Sequence, residues 1–101
     1  MNTAKIIDQA ISEKKTITFE YDGHSRTVEP HHYGTLGGSL QLHGYQVKGG
    51  SVSGKVPNWR NFKLDKIDKL AKNDVVFEPE STYNPLNSKY EIIEKKVTDK
   101  K

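Results

Sequence analysis

The feature that most constrains this chain is a change of hydrophobic period near residue 15. Before it, apolar residues recur at the spacing of one helix face, at Ile6, Ile7, Ala10 and Ile11, which predicts a short helix over residues 3–14. After it, short runs alternate apolar with polar residues and are rich in β-branched and aromatic side chains, a pattern typical of strands. The chain is therefore expected to place one helix ahead of a mainly β domain.

Turn signals divide the alternating region into short strands. Asp22 and Gly23 form a pair suited to a tight hairpin, and Pro30 lacks a backbone donor, so a strand must end, bulge or lie at an edge there. The predicted strands cover residues 16–22, 26–29, 39–48, 59–64 and 75–77.

The remaining segments are predicted to connect these strands. Residues 49–54 are rich in glycine and serine and form a flexible connection, whereas Leu64, Ile67 and Leu70 have the spacing of a helical turn or two over residues 65–71. Residues 78–88 are expected to be extended, and the charged tail is expected to form at best a docked helix.

A helix followed by about five short strands is the outline of a small SH3-like or Sm-like barrel. We expect residues 1–78 to form this barrel domain with its leading helix. Residues 79–101 would then be an extended connection and a charged tail. One domain is the default for 101 residues, because a second core of this size would be too small to persist.

Composition excludes several classes of function. The chain has no cysteine, so neither disulfides nor thiolate metal sites are available, and a reducing compartment is compatible with this. It has no signal-like or membrane-length apolar run, so we expect a cytoplasmic protein without membrane contact. Two of the three net positive charges fall in residues 89–101, which argues against a broad duplex-binding face.

Three stretches resemble the WYL domain, a small Sm-like module of bacterial regulators. The first runs from Ala10-Ile11 through Ile17-Thr18-Phe19-Glu20-Tyr21 to Arg26-Thr27-Val28-Glu29-Pro30. The second, Leu40-Gln41-Leu42-His43-Gly44-Tyr45, stands where the family has its Trp-Tyr-Leu motif, with leucine and glutamine replacing the Trp and Tyr. The third and most specific is Arg60-Asn61-Phe62-Lys63-Leu64-Asp65-Lys66-Ile67, with lysines at two positions that are usually arginine.

The resemblance implies a ligand-sensing regulatory module rather than an enzyme. WYL domains generally stand beside a DNA-reading helical segment, and nucleotides or nucleic-acid fragments are the implied ligands. This chain is expected to act as a stand-alone or separated WYL module in transcription regulation or defence-related regulation, with a separate DNA-binding protein as its partner. Lysine keeps the attraction for phosphate but lacks the planar fork of arginine.

The basic and aromatic segment over residues 59–66 is the predicted ligand site. Arg60, Lys63 and Lys66 supply positive charge beside Trp59 and Phe62, an arrangement that combines phosphate attraction with surfaces for base stacking. The alternative reading is that both aromatic residues belong to the core and that the cations are solvated. For Trp59 the pattern alone leaves the choice open.

Three further residues are candidates for the same site. Arg26 joins it if the second strand faces that way, and otherwise pairs with Glu29 or Glu20. His43 and Tyr45 lie in the altered name motif and are predicted to line the pocket, with an exposed strand position as the alternative for His43.

Other chemistry has weaker support. The adjacent His31 and His32 would point to opposite sides of an extended strand, and no metal-ligand spacing surrounds them, so neither a metal nor a cofactor is expected. No nucleophile setting is visible, so no catalytic residue is predicted. The alternative function is a protein-interaction module that docks through its barrel or self-associates into a homo-oligomer.

Overall fold

The computed structural model describes residues 3–49 and 58–97, whose strands form one antiparallel sheet packed against a single α-helix. The helix α1 spans Thr3–Glu13. The strands are β1 (Lys15–Tyr21), β2 (His24–Leu36), β3 (Ser39–Gly49), β4 (Asn58–Lys63), β5 (Asp68–Val76) and β6 (Ile92–Lys96). Two short 3₁₀ helices span Leu64–Lys66 and Pro85–Ser88. All of the predicted connection over residues 49–54 except Gly49, together with residues 55–57 and the tail end at 98–101, lies outside the described residues.

The sheet has the order β4-β3-β2-β1-β5, with β6 added beside the second half of β2. Mainly β architecture is confirmed, but the sheet has six strands and does not close into the predicted barrel. The first half of β2 pairs with β1 up to Val28, and its second half pairs with β6 from His32 onward. One long bent strand therefore joins the two parts of the sheet.

The core lies between α1 and the face of the sheet that the helix covers. Its members are aliphatic and phenyl side chains with almost no solvent exposure: Ile7, Ala10, Ile11, Ile17, Phe19, Val28, Leu42, Phe62, Leu64, Phe77 and Val97. The alternation in β1 places Ile17 and Phe19 inward, as the period-2 pattern predicts. The described residues contain no helix with the length and apolarity needed to cross a membrane.

Three local predictions are wrong, each because tertiary pairing overrides a local signal. The helical turn predicted over residues 65–71 is only the 3₁₀ helix Leu64–Lys66, since β5 begins at Asp68 and pairs with β1. The second strand extends to Leu36 instead of ending at Glu29, because it pairs with β3 beyond Pro30 through a bulge, which was one of the three alternatives that the proline allowed. The tail forms β6 instead of a helix, because the second half of β2 offers backbone partners that β1 does not use.

Candidate functional site

The predicted site segment is divided between the two faces of the sheet. Phe62 of β4 is in the core, and strand alternation places Arg60 on the same face. Trp59, Asn61 and Lys63 stand on the opposite face, where Trp59 lies directly across from Tyr45 of β3. The segment therefore contributes to two surfaces, which are a basic cleft and an aromatic face.

The basic cleft brings Arg26 of β2 and Arg60 of β4 together, although 34 positions separate them in the chain. It has a volume of about 340 Å³. Its lining residues are Tyr21, Asp22, Arg26, Trp59, Arg60, Asn61 and Phe62. The cleft thus combines two guanidinium groups with aromatic rings at the rim of the core.

Arg26 is an unusually buried cation, with only 4% of its surface exposed. It donates to Gln46 Oε1 at 3.4 Å and to the Tyr21 carbonyl at 3.2 Å, rather than pairing with Glu29 or Glu20. Its Cζ lies 5.3 Å from the centroid of the Tyr21 ring, within the range of a cation–π contact. Its buried Nε has no hydrogen-bond partner among the described residues.

Electrostatics around Arg26 favour an added negative charge. Burial, and then the nearby charge of Arg60, lower the pKa of Arg26, while Asp22 acts in the opposite direction. A buried cation beside a like charge is costly unless an anion compensates it. The cleft is therefore arranged to accept an anionic group between its two arginines.

The two predicted lysines lie outside this cleft. Lys63 and Lys66 are both exposed, and neither lines it. The backbone N–H of Lys63 donates to the Tyr21 hydroxyl at 3.0 Å, which ties β4 to β1 beside the cleft. Their charges can add to the local field but do not form the cleft walls.

The opposite face carries a row of flat rings from three neighbouring strands. His43 is stacked on His32 with ring centroids 4.7 Å apart and planes at 18°, and on Trp59 with centroids 4.9 Å apart and planes at 7°. Tyr45 meets Trp59 edge to face at 5.1 Å. We call His32, His43 and Trp59 the ring row.

The bulge in β2 places both adjacent histidines on this face. His31 is the extra residue, since Pro30 pairs with Gly44 and His32 already pairs with His43. The rings of both histidines contact Tyr83, at centroid distances of 4.9 and 5.5 Å. The expectation that they point to opposite sides is therefore wrong, because it assumed a regular strand.

Hydrogen bonds keep the ring of His31 neutral. The backbone N–H of Glu80 donates to Nε2 at 3.1 Å, so the proton resides on Nδ1, which donates to the Glu29 carbonyl at 2.9 Å. Burial lowers the pKa of His31 to about 4 and that of His32 to about 3, and it also lowers the pKa of His43. No group of described His, Asp and Glu side chains could hold a metal ion.

A segment that the sequence predicted only as an extended connection, with no part in the site, covers the ring row. Residues 79–91, which we call the arch, run between β5 and β6. Trp59 Nε1 donates to Thr82 Oγ1 at 2.9 Å, and the Tyr90 hydroxyl donates to Asn61 Oδ1 at 2.9 Å. Sequence reasoning missed these residues because the arch has no hydrophobic period, and only its two tyrosines hinted at packing.

Comparisons with known proteins point to one family and one fold. The sequence profile of the WYL domain matches residues 2–72. None of the curated proteins matches the chain. Among solved structures, the proteasome accessory factor B/C (PafBC) of Arthrobacter aurescens is similar in fold, with a TM-score of 0.68 and 21% identity. The similarity covers 85% of this chain and 14% of that one.

Proposed function

Because this chain belongs to the WYL domain family, we propose that it is a regulatory sensor module whose ligand is a nucleotide or a single-stranded nucleic acid. The ligand phosphate would lie in the basic cleft between Arg26 and Arg60. A DNA-binding partner would convert ligand occupancy into transcription regulation.

The observation that carries this proposal is the convergence of two guanidinium groups on one cleft. Arginine presents a planar fork of donors that matches phosphate oxygens, and charge-assisted hydrogen bonds of this kind are about twice as strong as neutral ones. Arg26 Nε is buried without a described partner, and burial, followed by the charge of Arg60, lowers the pKa of Arg26. A phosphate would relieve both unfavourable features.

The size and walls of the cleft favour a single nucleotide unit. A volume of about 340 Å³ is near the lower end of ligand pockets, which is enough for a phosphate with its sugar and part of a base. The rings of Tyr21 and Phe62, 5.0 Å apart and nearly perpendicular, form an aromatic corner in the wall. Phe62 is in the core, so Tyr21 is the ring of this corner that can contact a base, and it does so without selecting the identity of the base.

Titration of the single tryptophan tests the proposal. Adding thymidine monophosphate should change the fluorescence of Trp59, which lines the cleft. The Arg60→Gln/Lys63→Gln double variant should lose binding without unfolding, and Lys66→Gln, a matched control outside the cleft, should bind nearly as wild type. Affinity should fall steeply with added salt, since phosphate binding releases counterions. Affinity that the double variant leaves unchanged would contradict the proposal.

A protein-interaction role is the second candidate, favoured by one observation. Val75 and Val76 of β5 are 58% and 68% exposed, and β5 ends the strand order of the sheet. Exposed apolar residues on an edge strand are suited to pairing with another chain. Association through this edge would tolerate salt, so the salt series separates the two candidates, and sedimentation of the Val76→Lys variant tests self-association directly.

A further inference from the structure

The arch is anchored in the core at both ends and is held between them by polar and ring contacts. Phe77 before it and Val97 beyond β6 are both in the core. Between these anchors, the backbone N–H of Glu80 donates to His31 Nε2, Thr82 and Tyr90 bond the sheet through their hydroxyls, and Tyr83 stacks on Trp59. Contacts of this kind at the surface open locally at a lower free energy than the core does. Local opening of the arch would leave the core between α1 and the sheet in place.

Tyr83 is the centre of the contact between the arch and the ring row. Its ring lies 5.8 Å from that of Trp59 with planes at 29°, and 6.2 Å from that of His43. Its hydroxyl is hydrogen-bonded to His32 Nδ1 at 2.6 Å. One flat amphipathic ring of the arch thus contacts all three members of the row.

The surface beneath Tyr83 has the properties of a base-stacking platform. Trp59 is the ring on which Tyr83 stacks, and stacking on such a ring accepts any base. His43 is itself stacked between His32 and Trp59, and it contacts Tyr83 with the ring planes tilted at 36°. Trp59, a member of the ring row, and Asn61, which lies beside it, also line the basic cleft, and both are hydrogen-bonded to the arch. A single-stranded nucleic acid that extends out of the cleft would contact this surface next.

We propose that the arch is a displaceable cover, and that a nucleobase of a single strand whose phosphate lies in the basic cleft takes the place of Tyr83 on Trp59 and His43. This inference rests on the proposed function and adds a second, covered subsite to it. A mononucleotide fills the cleft alone, whereas a longer strand must displace the arch. The cover thereby lowers affinity for longer strands, and any partner that holds the arch open raises it.

Two substitutions at Tyr83 test the cover. Tyr83→Ala removes the ring, and Tyr83→Phe keeps the ring and loses only the hydroxyl. We expect Tyr83→Ala to bind an oligothymidylate of about six nucleotides at least about fivefold more tightly than wild type, the gain of one newly stacked base. Its affinity for thymidine monophosphate should change by less than about twofold. Tyr83→Phe keeps the ring but loses the hydrogen bond to His32, so its affinity for oligothymidylate should lie between those of wild type and Tyr83→Ala, with thymidine monophosphate binding as in wild type.

A second variant lifts the arch from its other end. A Cβ on Gly34 would overlap the Ile92 carbonyl, so Gly34→Val should push β6 away without touching the cleft or the ring row. Gly34→Val and Tyr83→Ala should each make Trp59 more accessible to acrylamide, and each should also tighten oligothymidylate binding. Circular dichroism establishes that each variant keeps its sheet.

The outcomes distinguish the cover from the cleft. If Tyr83→Ala exposes Trp59 to acrylamide yet binds oligothymidylate no more tightly, or binds it more weakly, the covered subsite is refuted while mononucleotide binding stands. If neither probe binds wild type or either variant, both the proposed function and the cover are refuted. Tighter oligothymidylate binding that disappears in Tyr83→Ala/His43→Ala supports stacking on the ring row.

Discussion

Acidification should destabilise this fold through its buried histidines, and His32 offers the sharpest test. His32 is fully buried, and burial is the main reason its pKa falls to about 3, with smaller contributions from the charges of His43, His31 and Lys96. In the unfolded chain the imidazole of His32 binds a proton below about pH 6.5, whereas in the folded chain it stays neutral until the pH approaches about 3. Stability is therefore full above pH 6.5 and declines as the pH falls from there toward about 3.

The magnitude follows from the width of that window. Each pH unit below 6.5 lowers the free energy of unfolding by about 1.4 kcal/mol for each histidine that stays neutral in the fold, so His32 lowers it by about 2 kcal/mol at pH 5. His31, with a pKa near 4, adds a similar amount. The total of about 4 kcal/mol is a large part of the roughly 5–15 kcal/mol that stabilises a typical domain.

Urea unfolding at pH 7 and pH 5, followed by circular dichroism, measures this effect. The His32→Phe variant keeps a flat ring against His43 but cannot bind a proton. Its loss of the Tyr83 hydrogen bond is the same at both pH values, so only the difference between them is informative. We expect that difference to shrink by about 2 kcal/mol relative to wild type.

His24→Gln, at the first residue of β2, is the matched control for the loss of one histidine. A His32→Phe difference within about 0.5 kcal/mol of the wild-type value would refute the reasoning, because the ring would then not be the group whose protonation the fold resists.

Two further predictions concern buried charge. Arg26→Met should weaken thymidine monophosphate binding at least about tenfold in a fluorescence titration. It should change the free energy of unfolding by less than about 2 kcal/mol, because apolar replacement of a buried charge is often neutral. A larger loss of stability would show that Arg26 is structural. Burial, and then the adjoining Glu80, raise the pKa of Glu29 to about 8, so its contribution to stability is full below pH 4.5 and is lost as the pH rises toward 8. Glu29→Gln should therefore gain about 4 kcal/mol in urea unfolding at pH 8 and less than about 1 kcal/mol at pH 5, and equal effects at both would contradict this.

Much of the fold was readable from local patterns. The helix, β1, β3 and β4 have nearly their predicted bounds, because amphipathic period and turn residues act over a few neighbouring positions. The errors fall where a segment's state depends on a distant partner. β5 and β6 form because β1 and the second half of β2 each have one edge whose backbone groups need partners. A local sequence pattern does not indicate that a distant strand has such an edge.

The site shows the same division. Arg60, Trp59 and Arg26 could be proposed as ligand residues from charge, ring type and family resemblance, and that assignment stays a prediction until binding is measured. Which of them share a surface could not be proposed. Asn61 was missed altogether, since a lone asparagine in a strand has no distinguishing signal.

The sequence by itself determined the mainly β class, the leading helix and the residue types available for anion recognition, because these depend on period and composition. Only the tertiary structure decided that Arg26 and Arg60 meet in one cleft, and that Trp59 lines this cleft and also belongs to the ring row. A two-residue period assigns alternate side chains to opposite faces, but strand register and the bulge at His31 decide which of them become neighbours.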